Sequence, residues 1–416
     1  MVRVDSIFRC GQLVTPRGTD VLKGDEMSHI EAIDDAGLAV KGGIVIEVGR
    51  FGSISSRYGG RLRDLGDRLV LPGFVDCHSH LVFSGSRERE LGMKLSGRSY
   101  MEILDSGGGI LSTVRKTRQA TGRDLEKESS SRLQRMVEGG VTSFEIKSGY
   151  GLNLRDELKM LAVASGIGHG LPTVPTYLGA HALPPGKSRK EYIHEIVGRH
   201  LPEVRKRSLS AYCDIFIEKG AFTLEEARAV LSAAKKSGFI LTAHVDEFSE
   251  TGGAALASEL GAVSVSHLAY TPRSEFSSLA ANGVTGIILP STPLFSMGTR
   301  YPDARTMISE GMSVAIGSDL SPNSWNESLL LSCTLAVYSC RLRQEEAIVA
   351  ATLNSACAIG LGKVAGSLEG RKRADFVCFD IDDYRKMFYM YTPNPVHSVF
   401  SAGKKIVSNR SSLHME

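Results

Sequence analysis

No apolar run in this chain is long enough to span a membrane, and its first residues, Met1-Val2-Arg3-Val4-Asp5, lack the basic-then-apolar layout of a secretory signal. A cytoplasmic protein with no membrane partner is expected. Seven cysteines, at 10, 77, 213, 333, 340, 357 and 378, include no C-x-x-C pair. That leaves a disulfide framework and a zinc ribbon unsupported, and most of the thiols are expected to be reduced and buried. Charge of one sign is also scarce. A net charge of +3 gives no field strong enough to argue for nucleic acid or an anionic membrane. Neither G-x-x-x-x-G-K-[ST] nor G-x-G-x-x-G occurs, so nucleotide cofactors are unsupported. There is no internal repeat and no low-complexity tract.

What remains is an ordinary globular composition, 42% apolar and 23% charged, in 416 residues. That length predicts one large barrel with additions, or two to three domains. Eight β-rich runs alternate with helix-like segments at 69–75, 141–147, 173–178, 212–217, 239–245, 263–268, 285–289 and 313–318. Eight strand-then-helix units are the number that closes a TIM (β/α)8 barrel, so an α/β barrel over 69–360 is expected. One connecting helix is well marked: Thr223-x-x-Glu226 is a capping box, Leu224 to Ser237 favours helix, and Gly238 ends it. A second runs from Pro272 to Ala281 and closes at Asn282-Gly283. The flanks, 1–68 and 361–416, are short β-like pieces cut by Gly and Asp, too small to bury a core alone. They are expected to pair into one small β-sandwich beside the barrel.

The first barrel strand runs into Asp76-Cys77-His78-Ser79-His80. Residues two apart on a strand point the same way, so both imidazoles project together from one strand end, spaced to share a metal ion. Catalytic residues of a TIM barrel stand where the strands end. Reading off those ends gives His78 and His80, then Lys147, His181, Glu218, His244, His267 and Asp319. Seven of the eight strands thus finish in an ionisable residue, which packing alone does not require. Three neutral imidazoles and one carboxylate suit zinc or ferrous iron, so His78, His80, His244 and Asp319 are read as ligands.

Three neighbouring signals bear on substrate. Arg87, on the first loop above the barrel, can fork onto a carboxylate, although from charge alone a solvated charge run is the favoured account of Ser84 to Glu90. Tyr150 sits in the glycine-flanked turn Ser148-Gly149-Tyr150-Gly151, and Glu247 lies just beyond His244, where a proton-handling carboxylate belongs. His194-Glu195-Ile196-Val197-Gly198 fails as H-E-x-x-H because Gly198 stands where the second His is needed, and it reads as a surface helix.

The segments PGFVDCHSHLVFSGSRERE (72–90), GGGILSTVRKTR (107–118), FEIKSGYGL (144–152), TYLGAHA (176–182), HVDEF (244–248), SHL (266–268) and GSDLSP (317–322) resemble the imidazolonepropionases of the amidohydrolase superfamily. The resemblance covers nearly the whole chain. It implies one zinc or iron ion on His78, His80, His244 and Asp319, substrate contacts from Arg87, Tyr150 and His181, and Glu247 and His267 at work on the ring. It further implies hydrolysis of a cyclic amide, 4-imidazolone-5-propanoate, to N-formimidoyl-L-glutamate in histidine breakdown. Asp319 or His267 would take the proton of the attacking water. The partner is then a small molecule with a carboxylate tail, and a homodimer is compatible with the sequence. After the last strand the family reads Asp-Phe-Asn-Pro-Gly-[Ser/Thr], whereas this chain has Asp319-Leu320-Ser321-Pro322-Asn323-Ser324. Ser321 and Asn323 replace the Asn and Gly of the pocket wall that Ser324 completes. Glu218 raises the separate question of a second metal. A nucleobase deaminase of the same superfamily, or a silent scaffold, are the alternatives.

Overall fold

The computed structural model describes residues 1–98, 102, 107–390, 392 and 394–409. Eight parallel strands follow one another around a sheet in chain order: β1 (Phe74–Asp76), β2 (Val141–Lys147), β3 (Thr173–Ala180), β4 (Tyr212–Ile217), β5 (Ile240–Val245), β6 (Ser264–His267), β7 (Thr285–Ile288) and β8 (Val314–Ile316). The ring closes just past the strand ends, where Ser79 and Leu320 form a parallel bridge. At this seam Asp319 N donates to His78 O at 3.0 Å and His80 N to Leu320 O at 2.8 Å. Asp76 reinforces it from below by accepting from the Ser318 amide at 3.0 Å and the Ser318 hydroxyl at 2.5 Å. The expected barrel is therefore present. Strands covered on both faces must be apolar throughout or internally paired, and β2 is buried at every position.

The two helices marked in the sequence form within a residue of their expected ends. Leu224–Lys236 is capped reciprocally by Thr223 and Glu226, and Gly238 follows at φ +79°. Arg273–Ala281 ends at Asn282 and Gly283. The segment around His194 is helical, but its far end is not on the surface. His200 is fully buried because its Nδ1 meets the Tyr177 hydroxyl at 2.8 Å.

The run 69–75, expected as one barrel strand, is two strands in two sheets. Leu69–Pro72 pairs with Val2–Thr15 and Phe376–Phe379, and only Phe74–Asp76 enters the barrel. Gly73 is the crossing point: its N–H donates to Asp375 O at 2.9 Å, while Phe74 N donates to Gly140 O at 3.0 Å. A Cβ at position 73 would lie 2.0 Å from Thr142 Oγ1, so only glycine lets the chain pass this close to β2.

Both chain ends join in one continuous mixed sheet of eight strands. Its order is Lys404–Ser408, Val396–Ser401, Phe376–Phe379, Leu69–Pro72, Val2–Thr15, Glu31–Lys41 and Ile44–Arg50, with Tyr58–Asp64 also beside Val2–Thr15. Phe8, Phe376 and Phe400 pack together at its centre, with ring centroids 4.4 to 5.3 Å apart. All seven cysteines are free, and six are buried. Among the described residues, no helix is long and apolar enough to cross a membrane.

Candidate metal centre and active site

β1 is short, and beyond it the chain bends at His78 before Ser79 joins the bridge to Leu320, yet His78 and His80 come together with ring centroids 5.4 Å apart. His244, near the end of β5, completes the group. The ligand atoms of the three lie within 4.8 Å of one another. Nε2 of His80 and Nε2 of His244 face each other at 3.3 Å, and the buried Nε2 of His78 has no hydrogen-bond partner among the described residues. Asp319 follows β8 and brings Oδ1 to 3.7 Å from His78 Nε2 and 3.6 Å from His80 Nε2. Burial pushes both His78 and His80 well below the ordinary imidazole range, so each keeps a free lone pair. Neutral imidazole nitrogens crowded together without protons repel one another. A cation between them removes that repulsion, and His78, His80 and His244 can hold a metal ion.

The rear faces of His78, His244 and Asp319 are fixed by residues the sequence reading gave no role. Ser266 Oγ lies 2.9 Å from His78 Nδ1, and Asp214 Oδ1 lies 3.0 Å from His244 Nδ1. With Nδ1 engaged, Nε2 is the nitrogen turned to the centre. Lys147 Nζ donates to Asp214 Oδ2 and to Glu145 Oε1, both at 2.7 Å. Burial opposes the charge on Asp214, but His244 and Lys147 outweigh it and hold the carboxyl far below its ordinary range. Thr292 Oγ1 donates to Asp319 Oδ2 at 2.7 Å, leaving Oδ1 for the centre. Asp319 and His267 hold φ of +50° and +78°, left-handed backbone that side chains of this kind rarely adopt and that gathers at functional sites. The one hint in the sequence was Asp214 itself, a carboxylate inside the apolar strand YCDIFI.

The other residues expected at the site surround the centre. His267 Nε2 and Glu247 Oε2 are 3.5 Å apart, beside a cavity that Thr292 also lines. Burial, with the charges of Asp319 and Glu218 nearby, pushes Glu247 well above the ordinary carboxylate range. His181 stacks on His80 at 5.0 Å with an interplanar angle of 14°, and Tyr150 lies 5.3 Å from His181 and 5.8 Å from His80, centroid to centroid. Gly149 makes this possible: at φ +113°, a Cβ there would meet His181 Nδ1 at 2.9 Å. Arg87 is no solvated charge. Its side chain is only 9% exposed, and its Nε and Nη2 both donate to Glu90 Oε2. Glu218 is engaged elsewhere, accepting from the amides of Lys219 and Phe248 and from the Ser249 hydroxyl. It thereby shapes the loop that carries Glu247. The departing loop is tightly folded: Ser324 N donates to Ser321 Oγ at 3.1 Å, and Asn323 Oδ1 accepts from Lys94 at 3.0 Å.

A profile of the amidohydrolase family matches residues 69–406. The imidazolonepropionase of Geobacillus kaustophilus is 39% identical over 415 residues, which is 97% of this chain and 98% of that protein. The imidazolonepropionase of Bacillus velezensis is 38% identical over 412 residues, 98% of each. Among solved structures, a zinc-bound adenosine deaminase from Xanthomonas campestris superposes with a TM-score of 0.75 at 18% identity, covering 100% of this chain and 95% of that one. Escherichia coli guanine deaminase gives 0.72 at 16%, covering 97% and 99%. At such identities these two speak for the fold alone. The full-length relatives speak for more, and by them the chain belongs to the imidazolonepropionases of the amidohydrolase family.

Proposed function

We propose that the protein hydrolyses the ring amide of 4-imidazolone-5-propanoate to N-formimidoyl-L-glutamate, a step of histidine breakdown, using one zinc or iron ion on His78, His80, His244 and Asp319. The observation that carries the reading is the likeness to curated imidazolonepropionases along almost the whole chain. What supports the metal assignment is the buried Nε2 of His78, without a hydrogen-bond partner among the described residues, beside the facing Nε2 pair and Asp319 Oδ1. When bound, such an ion lowers the pKa of a water and polarises a carbonyl.

The chain's own residues do the rest. Arg87 binds the propionate carboxylate, and Tyr150 and His181 flank the ring. Ser321, Asn323 and Ser324 close the opposite wall. The oxygen of water bonds to the ring carbonyl carbon, and His267 or Asp319 receives the proton lost there. The ring C–N bond then breaks, and its electron pair stays on nitrogen. Glu247, whose carboxyl burial raises well above the ordinary range, is placed to supply the proton that this nitrogen takes. Free thiols at all seven cysteines support placing this reaction in the cytoplasm.

The test is an absorbance assay with freshly made 4-imidazolone-5-propanoate, with product identified by mass. Loss of the imidazolone chromophore with formation of formimidoylglutamate and no ammonia supports the reading. Ammonia release from a nucleobase, with the imidazolone untouched, overturns it in favour of a deaminase.

A further inference from the structure

The helix Glu88–Leu95 begins just after Arg87, and Lys94 lies in its last turn. Lys94 Nζ is 3.0 Å from Asn323 Oδ1 and 3.5 Å from the Phe295 carbonyl, two neutral acceptors. The carboxylate whose charge reaches Lys94 is Glu90, and it is already engaged: Oε2 holds Arg87, and Oε1 accepts from Gly109 N at 2.8 Å. Among the described residues, Glu90 is therefore the one carboxylate that these two partly buried cations share. Burial, together with the positive charge of Arg87, holds Lys94 below the ordinary lysine range. Among the described residues, Arg87 Nη1 has no acceptor, because only Nε and Nη2 are spent on Glu90. A half-buried pair with one surplus positive charge is relieved by an anion, and the acceptor now occupying Lys94 is a side-chain amide that an anion can displace.

We propose that Lys94 and Arg87 together form a two-cation cradle for the substrate carboxylate, with Asn323 holding Lys94 in place until the anion arrives. The role of Lys94 is specificity: it selects rings with an anionic tail and does no chemistry on the ring. Asn323 thereby gains a function, because its side-chain oxygen is the nearest acceptor that Lys94 has. The proposal rests on the imidazolone reading for the identity of the ring, but not for the charge it selects.

The experiment uses the metal-loaded protein and two unreactive probes, imidazole-4-propanoate and its neutral amide, with dissociation constants measured by calorimetry alongside turnover. Lys94→Met is expected to weaken the carboxylate probe about 10–100-fold and raise KM similarly, as for loss of a charged hydrogen bond. The amide probe should bind as it does to the wild type, kcat should stay within about threefold, and Lys94→Arg should restore most of the carboxylate affinity. Asn323→Gly serves as an independent variant and should keep the preference for the carboxylate or strengthen it. Unchanged binding of the carboxylate probe to Lys94→Met overturns the proposal. So does an equal loss for both probes, which marks a purely structural lysine, and so does loss of the carboxylate preference in Asn323→Gly. Wild-type protein that leaves 4-imidazolone-5-propanoate intact would sink the functional reading alone, since the probe comparison needs no turnover.

Discussion

Lys147 Nζ lies 2.7 Å from Asp214 Oδ2, deep in the barrel, while the other oxygen of the same carboxylate lies 3.0 Å from His244 Nδ1. The lysine is thus one step removed from the metal centre. It holds a carboxylate charged, the carboxylate orients an imidazole, and the imidazole presents Nε2.

Replacing Asp214 with Asn keeps the shape but removes the charge that orients His244. Metal affinity should fall about 10–100-fold, as measured by competition with a chelator of known affinity. Affinity equal to the wild type would show that His244 is positioned by packing alone.

Lys147→Met leaves two carboxylates, Glu145 and Asp214, buried without their cation. Breaking a buried ion pair by removing one partner costs about 3–5 kcal/mol. The midpoint of denaturant unfolding, taken on metal-free protein so that ligand loss does not contribute, should shift accordingly. An unchanged midpoint would refute the paired arrangement.

Chelation should lower the melting temperature of the isolated protein. An ion present at a thousandfold excess over its dissociation constant stabilises the folded chain by about 4 kcal/mol. Readdition of zinc or ferrous iron should recover the original value, whereas magnesium, which prefers oxygen ligands, should not. A melting curve indifferent to chelator would count against any tightly held ion.

Glu90→Gln tests the support of Arg87. Without an anionic partner the guanidinium loses its fixed orientation, so KM for the anionic substrate should rise about tenfold while kcat changes little. A fall in kcat with KM unchanged would place Glu90 in the chemistry instead.

His267→Asn should lower kcat by about 10²–10⁴ with metal content intact, the loss expected of a general acid–base group. Metal loss would make His267 a ligand. Unchanged turnover would reduce it to packing.

Much of this centre was legible from the strand ends. H-x-H, His244 and Asp319 all sit where a barrel strand gives way to its loop, and that position is set by local periodicity, which sequence displays directly. The sheet change at Gly73 was not legible. LVLPGFV is apolar on both sides of the glycine, and both halves are buried, one in each sheet, so periodicity carries no trace of the crossing. The two carboxylates of β4 and its end, Asp214 and Glu218, look equally available in sequence. Only the fold shows one turned to His244 and the other spent on backbone amides. Lys94 and Asn323 meet across most of the barrel sequence, and no local pattern links a lysine in a surface-like helix to a loop so distant.

The Ser79–Leu320 bridge has a consequence for assembly of the molecule. His78 and Asp319 stand on opposite sides of that seam and are separated by well over half the chain. An ion held by both, as proposed above, would clasp the first strand to the loop after the last. The entropic cost of closing so large a ring grows only slowly with its length. A clasp at this place therefore favours the closed ring over any arrangement in which the final unit has yet to dock. A growing chain cannot complete the ligand set until residue 319 has emerged and all seven intervening crossovers are in place. If Asp319 completes the ligand set, occupancy of the centre would in that sense be a checkpoint, registering that the whole circuit of strands has closed in the correct order.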